Sequence, residues 1–231
     1  MINVPFFAFE GADGSGKTTL FNGLKALLND KIYFTREPGG TPVAESIRNV
    51  MLDPSLPAMH PITEELLMLS ARIEHVNNVV LPKLLAGIPI GSDRCFLSSI
   101  VYQGVRGGIG MNEILQDHLR MLGRYLKMTN QDAELEVYSV LPSVIYYLWL
   151  PVEESLRRVQ GRTSKKMDRL DLEGQKFHKL VHQGYDEAVA LLQNNPDFGA
   201  DKIILIDALQ SPEQILAEVH ADILRRLELC A

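Results

Sequence analysis

The sequence predicts an α/β domain built on a mostly parallel sheet. Two observations carry that prediction. Short apolar runs alternate with longer amphipathic stretches, as strand–helix–strand units require. A glycine-rich turn, residues 11–18, also separates the first apolar run from the first amphipathic one. The chain has 231 residues, 46% hydrophobic and 23% charged. That is enough for one compact domain, and too apolar for disorder to dominate.

Each element follows from its pattern. Residues 4–9 read as a buried strand. Residues 17–28 read as a helix with Leu20, Leu24, Leu27 and Leu28 on one face. Residues 31–35 form a second strand. Thr41 then caps a helix whose first turn holds Pro42. A long helix spans 63–85, with Pro82 near its end, and a third strand spans 88–92. Residues 112–141 are expected to be mainly helical. Residues 144–150 form a fourth strand and 152–161 a helix. Residues 171–193 form another helix, with Phe177, Val181, Tyr185, Ala188 and Leu192 along one stripe. Residues 203–206 form a fifth strand. Ser211 and Gln214 make a capping box for a last helix that buries Ile215, Val219, Ile223 and Leu227.

Charge and composition exclude several functions. The formal net charge is -6, so the molecule as a whole does not attract nucleic acid or an anionic membrane. The longest apolar runs, such as 144–152, are too short to cross a bilayer. The N-terminus has no basic residue and runs directly into a strand, so no removable leader is expected. Two cysteines, Cys95 and Cys230, cannot frame a disulfide-rich fold. A reducing, cytoplasmic address is the simplest expectation.

Gly11-Ala12-Asp13-Gly14-Ser15-Gly16-Lys17-Thr18, followed by Thr19, matches G-x-x-x-x-G-K-[ST] at every fixed position. Such a loop turns its backbone N–H groups onto phosphate oxygens, and the helix start adds partial positive charge. Lys17 is the candidate ammonium for the β- and γ-phosphates of ATP, and Thr18 the candidate hydroxyl for Mg²⁺. The guanine signature N-K-x-D of a GTPase is absent. Asp171 to Gly174 match D-x-x-G only by letter, after a basic loop rather than a strand.

A kinase must also hold an acceptor phosphate. Arg36 follows the second strand within Thr35-Arg36-Glu37-Pro38-Gly39-Gly40-Thr41, and Asp93-Arg94 follows the third. Parallel sheets place ligands at those strand ends. Arg72, on the long helix, could join Arg36 and Arg94 around one phosphate. Asp93 either acts through water on Mg²⁺ or pairs with Arg94.

These strings, together with Phe9-Glu10-Gly11, Tyr102-Gln103-Gly104 and Asp168-Arg169, resemble the bacterial thymidylate kinase family. The resemblance covers roughly residues 4–110 and 144–225. It implies one domain over 1–231 with a three-layer fold, a five-stranded parallel sheet and a short basic lid at about 157–171. It implies transfer of the γ-phosphoryl group of ATP to dTMP, with Mg²⁺, in a homodimer. By the same match, Arg36 and Arg94 hold the acceptor phosphate, and Arg72 and Gln103 contact thymine. Ser98 and Ser99 lie near the base, and Tyr102 packs on the sugar. Asp13 reaches the deoxyribose or the metal shell. Arg158 and Arg162 are the lid arginines expected at the transferring phosphoryl group.

Some positions depart from the family pattern. Met68 stands where a phenylalanine usually stacks on thymine. Cys95 replaces a common tyrosine or histidine, Arg106 comes one position early, and Trp149 occupies a strand end that is often acidic. Residues 123–141 match poorly. These departures bear on base preference and leave as a rival a kinase of the same fold for another deoxynucleotide; two further rivals are an ATP-binding relative without turnover and a GTPase switch.

Overall fold

The computed structural model describes residues 2–129, 135–161 and 174–230. Five strands form one sheet: β1 (Phe6–Glu10), β2 (Tyr33–Arg36), β3 (Ile90–Asp93), β4 (Val144–Trp149) and β5 (Ile203–Asp207). Their spatial order is β2-β3-β1-β4-β5, and every pairing is parallel. The strands sit one or two residues from the expected bounds. The apolar pattern locates a strand, whereas ladder partners decide its ends.

Side chains alternate across this sheet, as the period of two demands. Phe6 and Ala8 of β1, with Ile145 and Tyr147 of β4, enter one core. Phe7 and Phe9, with Val144, Tyr146 and Leu148, enter the other. The second core is closed by α1 (Lys17–Leu28) and by α9 (Pro212–Glu228) with its Ser211–Gln214 capping box. Leu20, Leu24 and Leu28 of α1 are buried. Leu27 is half exposed, because the four-residue stripe leaves it on the rim. Leu227 of α9 is only partly buried.

The first core is closed by four segments. One is α3 (Pro61–His75), which runs through a π-helical turn, Val76–Val80, into α4 (Leu81–Leu85). A second is α5 (Phe96–Ser99), which widens into a π-helical stretch, Ile100–Arg106. The others are α6 (Met111–Thr129) and α8 (Gly174–Gln193). The predicted apolar stripe of α8 is buried throughout. The stretch expected to be helical over 112–141 is α6 followed by a single 3₁₀ turn, Val137–Val140. Residues 130–134 lie outside the described residues. Two helices complete the fold. Thr41 caps α2 (Pro42–Leu52), as expected, and α7 (Val152–Gln160) follows β4.

Candidate active site

Parallel register brings the carboxyl ends of three strands level. Phe9 of β1 and Arg36 of β2 both stand opposite Asp93 of β3. The glycine-rich loop leaves β1 at this edge. Gly14 and Gly16 hold φ near +85°, the left-handed backbone that glycine adopts at no steric cost. From the side, α7 clamps the loop. Ser155 Oγ donates to the Asp13 carbonyl at 2.6 Å, and Arg158 Nη1 to the Gly14 carbonyl at 3.4 Å. The buried Ser15 hydroxyl has no partner among the described residues. Thr18 is exposed at the loop's mouth.

Lys17 is buried, and its ammonium lies 2.6 Å from Asp93 Oδ1. Burial and the nearby Arg94 guanidinium lower its pKa, against the pull of Asp93. Asp93 therefore does not pair with Arg94, the partner weighed for it from sequence. The ammonium at the base of the loop is its partner.

Arg94 is held elsewhere. It is the one described non-glycine residue with positive φ, 72°. Its Nη1 donates to Tyr185 Oη at 2.7 Å and to Ser98 Oγ at 3.0 Å, and Nη2 to Asp13 Oδ1 at 3.5 Å. Beneath these lies Glu10, fully buried. Alternation puts Glu10 on the same sheet face as Phe6 and Ala8. There it accepts from the Cys95 and Ser98 amides, the Ser98 hydroxyl and the Tyr185 hydroxyl. The strained backbone and the packed network together fix one guanidinium beside the phosphate loop. The arginine keeps its charge: the surrounding tyrosines and acids outweigh burial.

The other expected arginines separate. Arg36 is about half exposed and makes a bidentate pair with Glu45 of α2, at 3.0 and 2.6 Å. Glu45 also accepts from the Gly40 amide. Arg72 is buried and neutralised by Glu37, its Nε donating to Oε2 at 2.8 Å. Glu37 in turn meets His75 Nδ1 at 3.0 Å, and His75 Nε2 meets Thr35 Oγ1 at 2.8 Å. Arg72 Nη1 reaches Ser99 Oγ and the ring of His118 on α6. Burial pushes the Glu37 carboxyl up, but Arg72 and His75 overcome it and hold the pKa near 2. Each of these two arginines is thus held by a carboxylate of its own, Arg36 by Glu45 and Arg72 by Glu37.

Arg48 of α2, not singled out from sequence, joins the site. It is largely enclosed, donates to the Pro38 carbonyl, and lies in the fields of Arg36, Arg94, Glu45 and Asp93. A lone helical arginine carries no local mark. Glu10 and Glu37 were legible in part, as acids at the ends of strands that face the core.

A cavity of about 300 Å³ opens on the other side of the loop, lined by Gly14, Ser15, Gly16, Thr19, Arg158 and Pro212, among others. Arg158, braced by Glu154 at 2.7 Å, is the expected lid arginine that reaches it. Arg157 is exposed and pairs with the same Glu154. Arg162, most of the expected lid and the Asp168-Arg169 pair lie outside the described residues.

A family model described as thymidylate kinase matches residues 9–219. The chain belongs to the thymidylate kinase family. A thymidylate kinase of Mesoplasma florum is 37% identical over 227 residues, covering 97% of each protein. One from Geobacillus sp. (strain WCH70) is 34% identical over 226 residues, 96% of this chain and 97% of that one. One from Limosilactobacillus reuteri is 37% identical over 223 residues, 94% of each. Against the family pattern, Met68 and Ser99 are buried on the α3 and α5 side, near Arg72. Tyr102 lies under Arg94, 5.5 Å from guanidinium carbon to ring centre, and against Phe177 of α8. Gln103 follows within the same π-helical stretch. Its Oε1 is buried without a hydrogen-bond partner among the described residues, whereas Arg72 Nη2 lies 2.8 Å from Glu37 Oε2.

Proposed function

We propose that this chain transfers the γ-phosphoryl group of ATP to dTMP, giving ADP and dTDP. One observation carries the reading: a second anion-holding guanidinium, Arg94, is locked in place 3.5 Å from Asp13 of the phosphate loop. Two phosphate sites that abut are what a nucleotide kinase needs and a simple hydrolase does not. ATP would lie along the cavity between the loop, Arg158 and α9, with Gly11 to Thr19 around its phosphates. The dTMP phosphate would meet Arg94, Arg48 and Arg36, the last after exchanging its Glu45 partner.

Phosphoryl transfer asks the protein mainly for position and charge. Lys17 supports the β- and γ-oxygens, and Arg94 screens repulsion between donor and acceptor. The acceptor phosphate attacks as an anion, so no general base is required. Arg158, with Arg162 of the lid, would neutralise the transferring group and keep water out. The oxygen donors at the loop's mouth, the exposed Thr18 hydroxyl and the Asp93 carboxylate, suit Mg²⁺, a hard cation that keeps several waters. Among the described residues no group of three or more His, Cys, Asp or Glu could hold a metal alone, which fits an ion carried mostly by the nucleotide. When bound, it neutralises charge between the β- and γ-phosphates.

The base is read at Arg72 and Gln103. Gln103 Oε1, buried without a hydrogen-bond partner among the described residues, is an acceptor for a ring N–H, which thymine presents at the position where cytosine has none. Tyr102, beneath Arg94, packs on the deoxyribose, and Ser98 and Ser99 line the same side. Met68 favours a second reading, a kinase for another deoxynucleotide, because a thioether stacks on a base less rigidly than a ring. An ADP-release assay with a panel of monophosphates separates these readings. We expect dTMP to give the highest kcat/KM. A clear preference for a purine overturns the assignment, and ATP binding without acceptor-dependent turnover overturns the enzyme.

The active unit is a homodimer in this reading. Val43 and Val50 of α2, and Ile62 and Leu66 of α3, are each at least 45% exposed, which is costly apolar surface for a monomer. The cytoplasm is the proposed location, supported by two free cysteines and by the absence, among the described residues, of any helix long and apolar enough to cross a membrane.

A further inference from the structure

We propose that Tyr185 is a positioning residue for the acceptor phosphate: its hydroxyl, with that of Ser98, stands between Arg94 and the buried Glu10, so the guanidinium is ordered without being paired to a carboxylate directly. The inference rests on the proposed reading of Arg94. Tyr185 sits in the middle of α8 and is fully buried. Its ring stacks on Tyr147 of β4, with centroids 5.6 Å apart and planes 16° apart. That packing fixes where the phenol points. Arg94 Nη1 meets Tyr185 Oη at 2.7 Å and Ser98 Oγ at 3.0 Å. Both hydroxyls in turn meet one oxygen, Glu10 Oε2, at 3.0 and 2.8 Å. A guanidinium only donates and a carboxylate only accepts, so each hydroxyl takes a hydrogen bond from Arg94 and gives its own to Glu10. Burial pushes the Tyr185 phenol well above its ordinary pKa, so it keeps the proton it gives.

This spacing sets Arg94 apart from the other arginines of the site. Glu45 touches Arg36 at 2.6 Å and Glu37 touches Arg72 at 2.8 Å, each a direct pair. Glu10 Oε2 stays 3.9 Å from Arg94 Nη1, outside hydrogen-bond reach, and the two hydroxyls bridge the gap. A directly paired guanidinium must give up or share its carboxylate when a phosphate arrives, as Arg36 does in the proposed reading. Arg94 need not. Its Nη1 is anchored on neutral oxygens, its Nη2 is turned to Asp13 of the phosphate loop at 3.5 Å, and 19% of its side chain remains exposed. Without the phenol the guanidinium has one anchor fewer and an unscreened carboxylate behind it. Coulomb attraction then draws it inward, away from the acceptor. Tyr185 thus keeps a full positive charge aimed at the phosphate without touching substrate itself.

Calorimetric titration of the full-length protein with dTMP and, separately, with thymidine tests this, because the two ligands differ only in the phosphate. For Tyr185→Phe, losing a hydrogen bond to a charged donor predicts a loss of about tenfold in dTMP affinity. Thymidine affinity should stay near its original value. The double variant Tyr185→Phe/Glu10→Gln leaves no carboxylate to draw the guanidinium in, and it should recover most of the loss. A merely structural role predicts that Tyr185→Phe weakens both ligands together and that adding Glu10→Gln deepens the defect. Either result, or no change in either ligand, overturns the inference. Should Tyr185→Phe not fold, Glu10→Gln alone carries the test. It should tighten dTMP and leave thymidine unmoved, and any other outcome overturns the inference. Arg94→Gln separates this inference from the reading beneath it. If Arg94→Gln lowers dTMP affinity relative to thymidine while Tyr185→Phe does not, Tyr185 alone is misassigned. If Arg94→Gln leaves that ratio unchanged, the acceptor-phosphate reading of Arg94 itself fails.

Discussion

Glu37 is a carboxylate enclosed between the guanidinium of Arg72 and the imidazole of His75, with its pKa held near 2 against an ordinary value of 4.5. A carboxylate depressed in the fold stabilises it fully above the unfolded pKa and less as pH falls. The contribution of Glu37 should therefore fade between about pH 4.5 and pH 2. Glu37→Gln should flatten this acid limb in urea titrations. It should also cost roughly 3–5 kcal/mol at neutral pH, because Arg72 is left buried and uncompensated. At the opposite extreme, Arg36 is half in solvent, and its pair with Glu45 is a surface pair worth little to stability. Arg36→Ala should leave the melting temperature nearly unchanged and raise KM for dTMP more than KM for ATP. A fall in ATP affinity alone would show that Arg36 serves the donor.

Between elements, the clamp of α7 on the phosphate loop is the sharpest constraint. A Cβ placed on Gly14 would lie 2.8 Å from the Ser155 carbonyl oxygen, and φ there is +85°. Gly14→Ala must displace α7 and strain the loop, the left-handed backbone alone costing about 1–2 kcal/mol. Equilibrium titration with ATP should show a loss of tenfold or more, while Ser155→Ala, which only unlatches the Asp13 carbonyl, should show a smaller one. The α3–α6 contact carries an opposite tension. Burial, then the facing Asp117 and Glu113, raise the Glu65 carboxyl to about 7. A carboxyl raised in the fold favours it when protonated, so stability should decline as pH climbs from about 4.5 through 7. Glu65→Gln should remove that decline and leave the protein more stable than the original at pH 8, measured by thermal melting.

Over the whole molecule, the exposed apolar side chains of α2 and α3 are where the proposed homodimer is tested. Leu66, 58% exposed, is a residue that pairing would cover. Sedimentation should show a dimer that Leu66→Lys weakens, and a monomer at every concentration would overturn the homodimer. At this scale the sequence is legible unevenly. Helices with strong caps and stripes were legible to the residue: Thr41 before Pro42, the Ser211–Gln214 box, and the stripe from Phe177 to Leu192. The phosphate loop was legible because its glycines, lysine and threonine are fixed in spacing and flanked by a strand and a helix. The π-helical stretch Ile100–Arg106 had no such signature, since one extra residue per turn is not written in any cap or period.

What the chain determined by itself was local: apolar alternation chose strands, caps chose helix starts, and the glycine-rich turn chose the phosphate loop. Motifs at strand ends then put Arg36, Asp93 and Arg94 at one edge, because parallel strands end on the same side. Which arginine is ordered, and by what, was decided only in three dimensions. Glu10 and Tyr185, 175 residues apart and hydrogen-bonded to each other, converge with Ser98 on Arg94. Glu37 and His118 hold Arg72, and Lys17 rather than Arg94 claims Asp93. A charged group buried in a fold must find its opposite, and the identity of that opposite depends on packing between distant segments, which spacing along the chain does not encode.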